Sequence, residues 1–151
     1  MGCVMMKELQ TENLSQIRGE VANTIINKLS IGDEDIKINR DNGLSAAFST
    51  LIFEINLLIT EFATNAIEHG IDPKYVINEE NGQVMIAFTN LKKKHEAQKV
   101  NGEGGYGIML AQRFPEIYHP EVIAFSKNGF YVVILTYDST KVKDYLLRAC
   151  I

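Results

Sequence analysis

The chain is poor in cysteine. Its two cysteines, Cys3 and Cys150, lie near opposite ends of 151 residues, and neither sits in a metal-ligand spacing. A disulfide framework is therefore not the organising principle, and a reduced, cytoplasmic setting is the default expectation. Basic charge is also scarce. The formal net charge is −4, with no basic tail or polybasic face, which argues against nucleic acid as the main partner. The three histidines, His69, His95 and His119, show no zinc spacing. No apolar run reads as long enough to span a membrane, and no secretory leader pattern is present, so no membrane is expected. A Met-Gly start would suit myristoylation, but Met6 stands where that signal needs Ser or Thr. Repeats, low-complexity tracts and linkers are lacking. Residues 1–151 thus read as a single domain with 46% hydrophobic and 23% charged residues, the balance of a soluble globular protein.

What the chain does have is one dominant stretch, Leu44 to Gly70. Leu44, Phe48, Leu51, Ile52, Ile55, Leu58, Ile59, Phe62 and Ala66 recur at helical spacing and form a broad apolar stripe. Asn42 or Ser45 would cap its start beside Gly43, and Gly70 with Pro73 marks its end. At about 100° per residue, Glu54, Glu61, Asn65 and Glu68 fall along one edge of the stripe. Glu61 and Asn65 are four apart and so neighbours on the helix surface. That edge is either the solvated flank of an amphipathic helix or one wall of a cleft.

Around this helix the chain alternates helices and hairpins. A short strand is expected within Val4–Leu9, and a helix over 12–29 on Leu14, Ile17, Val21, Ile25 and Leu29. Ser30 to Asp33 ends that helix, and 33–43 reads as a turn-rich connection. Lys74–Asn78 and Gln83–Asn90 read as strands joined by Glu79-Glu80-Asn81-Gly82. Both faces of the second strand are apolar, which predicts a central position. Glu121–Ser126 and Phe130–Tyr137 form a second hairpin around Lys127-Asn128-Gly129, and Val142–Leu147 a short final helix. This order predicts an α+β two-layer sandwich, a mixed and mainly antiparallel sheet covered on one face by helices.

A second chemical signal is the run Gly102-Glu103-Gly104-Gly105-Tyr106-Gly107, which leads into an apolar-periodic helix from Ile108. Glycines let backbone N–H groups approach an anion, and a helix N-terminus adds a favourable dipole. The run is either a flexible connection or a phosphate cradle. It is not a Walker A loop, since no Gly-Lys-Ser/Thr follows, and it lacks the strand-to-helix setting of a dinucleotide fold. No nucleophile-elbow string supports a hydrolase triad. His69 reads as a helix-end histidine against terminal carbonyls, and Lys92-Lys93-Lys94 as a solvated loop or a set of phosphate contacts.

The two signals carry a resemblance. Glu61-Phe-Ala-Thr-Asn65-Ala66-Ile67-Glu68-His69-Gly70 resembles the N box of the GHKL (Bergerat-fold) ATPases, in the form E-x-x-x-N-A-x-x-H-G of the anti-sigma serine kinases. Gly105-Tyr106-Gly107-Ile108 resembles the last glycine box of that superfamily, which closes a lid over ATP. The boxes occur in the family's order, and the resemblance spans roughly residues 12–137. It implies the Bergerat (histidine kinase-like ATPase) fold, with ATP and Mg²⁺ as cofactors. Asn65 is then the metal ligand, offering a neutral oxygen while phosphates complete the shell, and Glu61 the catalytic residue that orients or deprotonates a hydroxyl. Asn65, His69, Asn90, Gly102, Gly104, Gly105, Tyr106, Gly107 and Ile108 are the implied cofactor-binding set.

One departure stands out. The family's D-x-G-x-G, whose Asp receives the adenine amino group, is replaced by Asn90-Leu91-Lys92-Lys93; an Asn90 carbonyl could accept the same hydrogen bond. The helix at 12–29 lacks the phosphoacceptor histidine of a sensor kinase, and little chain follows the last strand, unlike gyrase-like or mismatch-repair ATPases. The resemblance thus implies an anti-sigma-type serine/threonine protein kinase. Its partner would be a sigma factor or a regulatory phosphoacceptor protein, and homodimerisation is implied as well. Two alternatives are a degenerate, non-catalytic protein-binding regulator and a detached histidine kinase catalytic domain.

Overall fold

Asn81-Gly82 and Asn128-Gly129 set the architecture. All four residues have φ between +52° and +82°, the pair of left-handed conformations of the two-residue turn that matches strand twist. Each turn closes an antiparallel hairpin. In a computed structural model, which describes residues 6–29, 44–92 and 120–148, the strands are β1 (Lys7–Glu8), β2 (Gly70–Glu80), β3 (Gln83–Lys92), β4 (Glu121–Lys127) and β5 (Phe130–Asp138). They form one sheet in the order β1-β2-β3-β5-β4, antiparallel at every pairing among the described residues. The register joins the hairpins through β3 and β5, with Ile86 opposite Leu135 and Phe88 opposite Val133. β3 is therefore central, as its two apolar faces imply.

The helices are α1 (Leu14–Lys28), α2 (Leu44–His69) and α3 (Ser139–Arg148). A 3-10 turn at Thr11–Asn13 leads into α1, and the Gln10 N–H donates to Asn13 Oδ1 across it. Asp138 caps α3, its Oδ1 accepting from the Thr140 and Lys141 N–H groups. The Ser139 N–H donates to the Gly82 carbonyl and ties α3 to the first turn.

One core joins the layers. Ile17, Val21 and Ile25 of α1, Leu51, Ile55, Leu58, Ile59 and Phe62 of α2, and Val142 and Leu146 of α3 meet one face of the sheet. That face presents Tyr75, Val84, Ile86, Phe88, Val133, Leu135 and Tyr137. Burying each large aliphatic side chain contributes about 1.5–3 kcal/mol. The described residues therefore form an α+β fold, with three helices against a five-stranded antiparallel sheet.

Three expectations are revised. Within Val4–Leu9 only Lys7–Glu8 pairs, against Tyr75 and Lys74, while Val4 lies outside the described residues. The first hairpin strand is longer than Lys74–Asn78 and begins at Gly70, with a register shift between Ile71 and Lys74 where Asp72 takes φ +51° and Pro73 follows. By length and composition alone, α2 is apolar enough to cross a membrane, with a mean hydropathy of 1.4 in an 18-residue window within Ala46–His69. Glu54, Glu61 and Glu68 punctuate that stretch. In the fold its stripe packs into the core. Asn42, Gly43, the connection 33–43 and both cysteines lie outside the described residues.

Candidate functional site

The C-terminal end of α2 leads into β2 at Gly70, which pairs with Lys92 at the end of β3. Glu61 and Asn65 are half-buried on successive turns of α2, about 6 Å apart along the axis at 1.5 Å per residue. Phe62, Ala63 and Ala66 beside them are buried, so packing fixes the helix rotation that sets where Glu61 and Asn65 stand. Glu68 and His69 are exposed, and His69 Nε2 stands 4.0 Å from Glu68 Oε2.

Gly70 follows at once, but not as a left-handed helix stop. Its φ is not positive, unlike those of Gly82 and Gly129. What requires glycine is space: a Cβ built there would overlap the side chain of Asn90. Asn90 is 1% exposed, and its Nδ2 donates to the Leu91 carbonyl at 3.0 Å. That bond directs the Nδ2 end of the amide toward the Leu91 carbonyl. Gly70 and Asn90 are thus in contact, although they are 20 apart in the chain. Lys92, half-buried at the end of β3, donates its N–H to the Gly129 carbonyl at 2.9 Å and links this end of the sheet to the second turn.

Glu61, Asn65 and His69 lie on the last turns of α2, and Asn90 of β3 packs against Gly70, which follows that helix. Gly102, Gly104, Gly105, Tyr106, Gly107 and Ile108 lie outside the described residues, as do Lys93, Lys94, His95 and His119. Among the described residues, no three His, Cys, Asp or Glu side chains converge as a metal cage. A cation held by Asn65 would take most of its oxygens from phosphate or water, the mode Mg²⁺ favours.

Helical spacing groups Glu54 with Glu61, Asn65 and Glu68, and here tertiary structure divides the set. Glu54 faces Tyr137 of β5 and Tyr145 of α3, and burial holds its carboxyl above the ordinary carboxylate range. Burial, then the Glu54 charge, holds the Tyr137 hydroxyl protonated far above neutral pH. Glu54 Oε2, Tyr137 OH and Ser139 Oγ are buried and have no hydrogen-bond partner among the described residues. The one advance signal was the heptad repeat of glutamates at 54, 61 and 68; the tyrosines that isolate the first come from distant strands and helices.

No protein-family model matches this chain, and no curated protein matches it either.

Proposed function

We propose that this chain is an ATP-binding regulatory protein of the Bergerat fold, acting as an anti-sigma-type serine/threonine protein kinase on a small partner protein. The observation that carries the reading is the packing of Gly70 against Asn90, the two residues that the resemblance assigns to the end of the N box and to adenine recognition. The element order, with a long helix bearing Glu61 and Asn65 against an antiparallel sheet, supports it. In this reading Asn65 Oδ1 holds Mg²⁺, Asn90 Oδ1 accepts from the adenine amino group, and His69 closes the helix end beside them. The residues from Gly102 to Ile108 bind the phosphates. Bound Mg·ATP supplies the phosphoryl group and the cation that neutralises its charge. Glu61 orients the acceptor hydroxyl of the partner and takes its proton. Preorganised charge supplies most of the rate.

Calorimetric titration with ATP, with and without Mg²⁺, tests it. Magnesium-dependent binding is expected, and the phosphate passed to a partner should be an acid-stable phosphoester. An acid-labile product would favour the detached histidine kinase. No binding at millimolar ATP would favour the second reading, a protein-binding regulator on the same scaffold. The near-complete burial of Asn90 and the loss of the Asp and glycines after it favour that reading.

A further inference from the structure

The two edges of the sheet are finished differently. The β2 edge is blunted. β1 pairs with it only at Lys74 and Tyr75, Pro73 and a register shift interrupt it, and Lys74, Glu79 and Glu80 charge it. Such devices stop a sheet from pairing with a foreign strand. The β4 edge carries none of them between its two ends. Glu121–Lys127 runs in unbroken register against β5, without a proline, and its interior is Val122, Ile123, Ala124, Phe125 and Ser126. Among the described residues no strand lies on its outer side.

The turn fixes which backbone groups of β4 face outward. A two-residue turn makes its flanking residues, Lys127 and Phe130, a hydrogen-bonded pair. The Gly129 carbonyl accepts from the Lys92 N–H on the β3 side, so Phe130 turns its own groups to β4. Stepping by two, Phe125, Ile123 and Glu121 also bond inward, to Val132, Ile134 and Thr136. Val122, Ala124 and Ser126 therefore point their N–H and C=O groups away from the sheet. Val122 and Ala124 rest their side chains against the core, while Ile123 and Phe125 are 45% and 37% exposed on the other face.

We infer that the β4 edge receives an extended segment of another protein as an added strand, whatever the fate of the nucleotide reading. An antiparallel segment would bond to Val122, Ala124 and Ser126. Its other side chains would then stand at the close, non-hydrogen-bonded positions opposite Glu121, Ile123, Phe125 and Lys127. Cross-strand pairing there favours a basic residue, two apolar residues and an acidic residue, in that order along β4. From its own N-terminus the segment reads acidic-x-apolar-x-apolar-x-basic. The backbone supplies affinity and the alternate side chains supply specificity. Area argues against a second copy of the chain at this edge. Seven residues at about 3.4 Å each, across a sheet about 10 Å thick, offer about 240 Å² per partner. The roughly 500 Å² in all falls below the ~1,000 Å² at which two folded surfaces hold together specifically. A flexible segment needs no such rigid match, because it follows the twist of the edge and lays side chains over both flanks.

Fluorescence anisotropy with a labelled peptide, Glu-Thr-Val-Thr-Val-Thr-Lys with blocked ends, tests the proposal. Saturable micromolar binding to the wild type is expected. The peptide with its two charges exchanged should bind about threefold or more weakly, and Glu121→Lys with Lys127→Glu should reverse that preference. Methylating the amide nitrogens of the peptide's threonines removes the donors to the β4 carbonyls and should abolish binding with every side chain kept. Ala124→Pro deletes an outward N–H without touching an inward bond, a placement an edge strand tolerates, and should weaken binding about tenfold or more. Phe53→Lys, at an exposed site on α2, should leave it unchanged. Bound peptide should slow hydrogen exchange at the Val122, Ala124 and Ser126 amides but not at Ile123 and Phe125, which are already bonded. If Ala124→Pro unfolds, the methylated peptide and the exchange pattern decide. No anisotropy change at millimolar protein overturns the inference. So does equal binding of the methylated peptide, or protection of the Val122, Ala124 and Ser126 amides by self-association without peptide.

Discussion

Replacing Gly70 by alanine tests the junction between α2 and the sheet. The added methyl would occupy the position of the Asn90 side chain. Asn90 cannot swing into solvent cheaply, because it is 1% exposed and its amide donates to the Leu91 carbonyl. Either β2 shifts away from β3 or the amide loses its bond in a buried setting. Overpacking of this kind costs about 1–3 kcal/mol, and a lost buried hydrogen bond about 1–3 kcal/mol if it follows. Gly70 is not in the left-handed region, so backbone strain adds nothing. Restricting the unfolded chain would return about 0.4–1 kcal/mol. The net expectation is destabilisation by about 1–3 kcal/mol, or a fall in Tm of roughly 3–10 °C for a domain of this size. Urea unfolding followed by circular dichroism reads the effect. Gly70→Ala combined with Asn90→Ala should be less destabilised than the sum of the two single changes, because the second removes the atoms that clash. A tolerated Gly70→Ala, within about 0.5 kcal/mol of wild type, or strictly additive changes, would refute the close-contact argument.

Further predictions concern the two groups of polar residues on α2. Asn65→Ala should abolish magnesium-dependent ATP binding in calorimetry while the unfolding midpoint moves little; unchanged affinity would count against the metal assignment. Glu54→Gln should change the pH dependence of stability. The folded-state pKa of Glu54 lies above the ordinary 4.5, so its contribution is fully present below that value and is lost as pH rises through the folded-state value. The glutamine variant should therefore gain on wild type between pH 4 and pH 7 in urea midpoints, and parallel curves would sink this account. Tyr137→Phe removes a buried hydroxyl that has no hydrogen-bond partner among the described residues. It should be neutral or stabilising by about 1 kcal/mol, and a loss of that size would mean the hydroxyl is bonded in solution.

What could be read from the residues was mostly local. Asn-Gly at 81–82 and 128–129 announces a hairpin because few other pairs adopt both left-handed conformations, and both hairpins formed there. The stripe from Leu51 to Ala66 predicts a buried helix face because its period is intrinsic to the helix. The pairing of β3 with β5 depends on residues some fifty apart, as Val84 and Tyr137 show, and no local pattern encodes it. The helix ends at His69, directly before Gly70, as the position of Gly70 implies, but the space that Gly70 leaves for Asn90 on another strand has no local signal. Glu54 looked equivalent to Glu61 until Tyr137 and Tyr145 gave it different surroundings. The glycine run, the other half of the candidate site, falls outside the described residues.

The central position of β3 has a practical consequence. Val84 to Thr89 lie in register with β2 on one side and β5 on the other, so their amides cannot exchange with solvent by fraying of an edge. They open only when the domain unfolds as a whole, and their exchange rates in deuterated water measure its global stability. Any molecule that binds the native state but not the unfolded one slows them by a factor of about 1 + [L]/Kd. A single strand far from most of the surface therefore serves as an internal gauge for ligands, whether or not the protein turns them over.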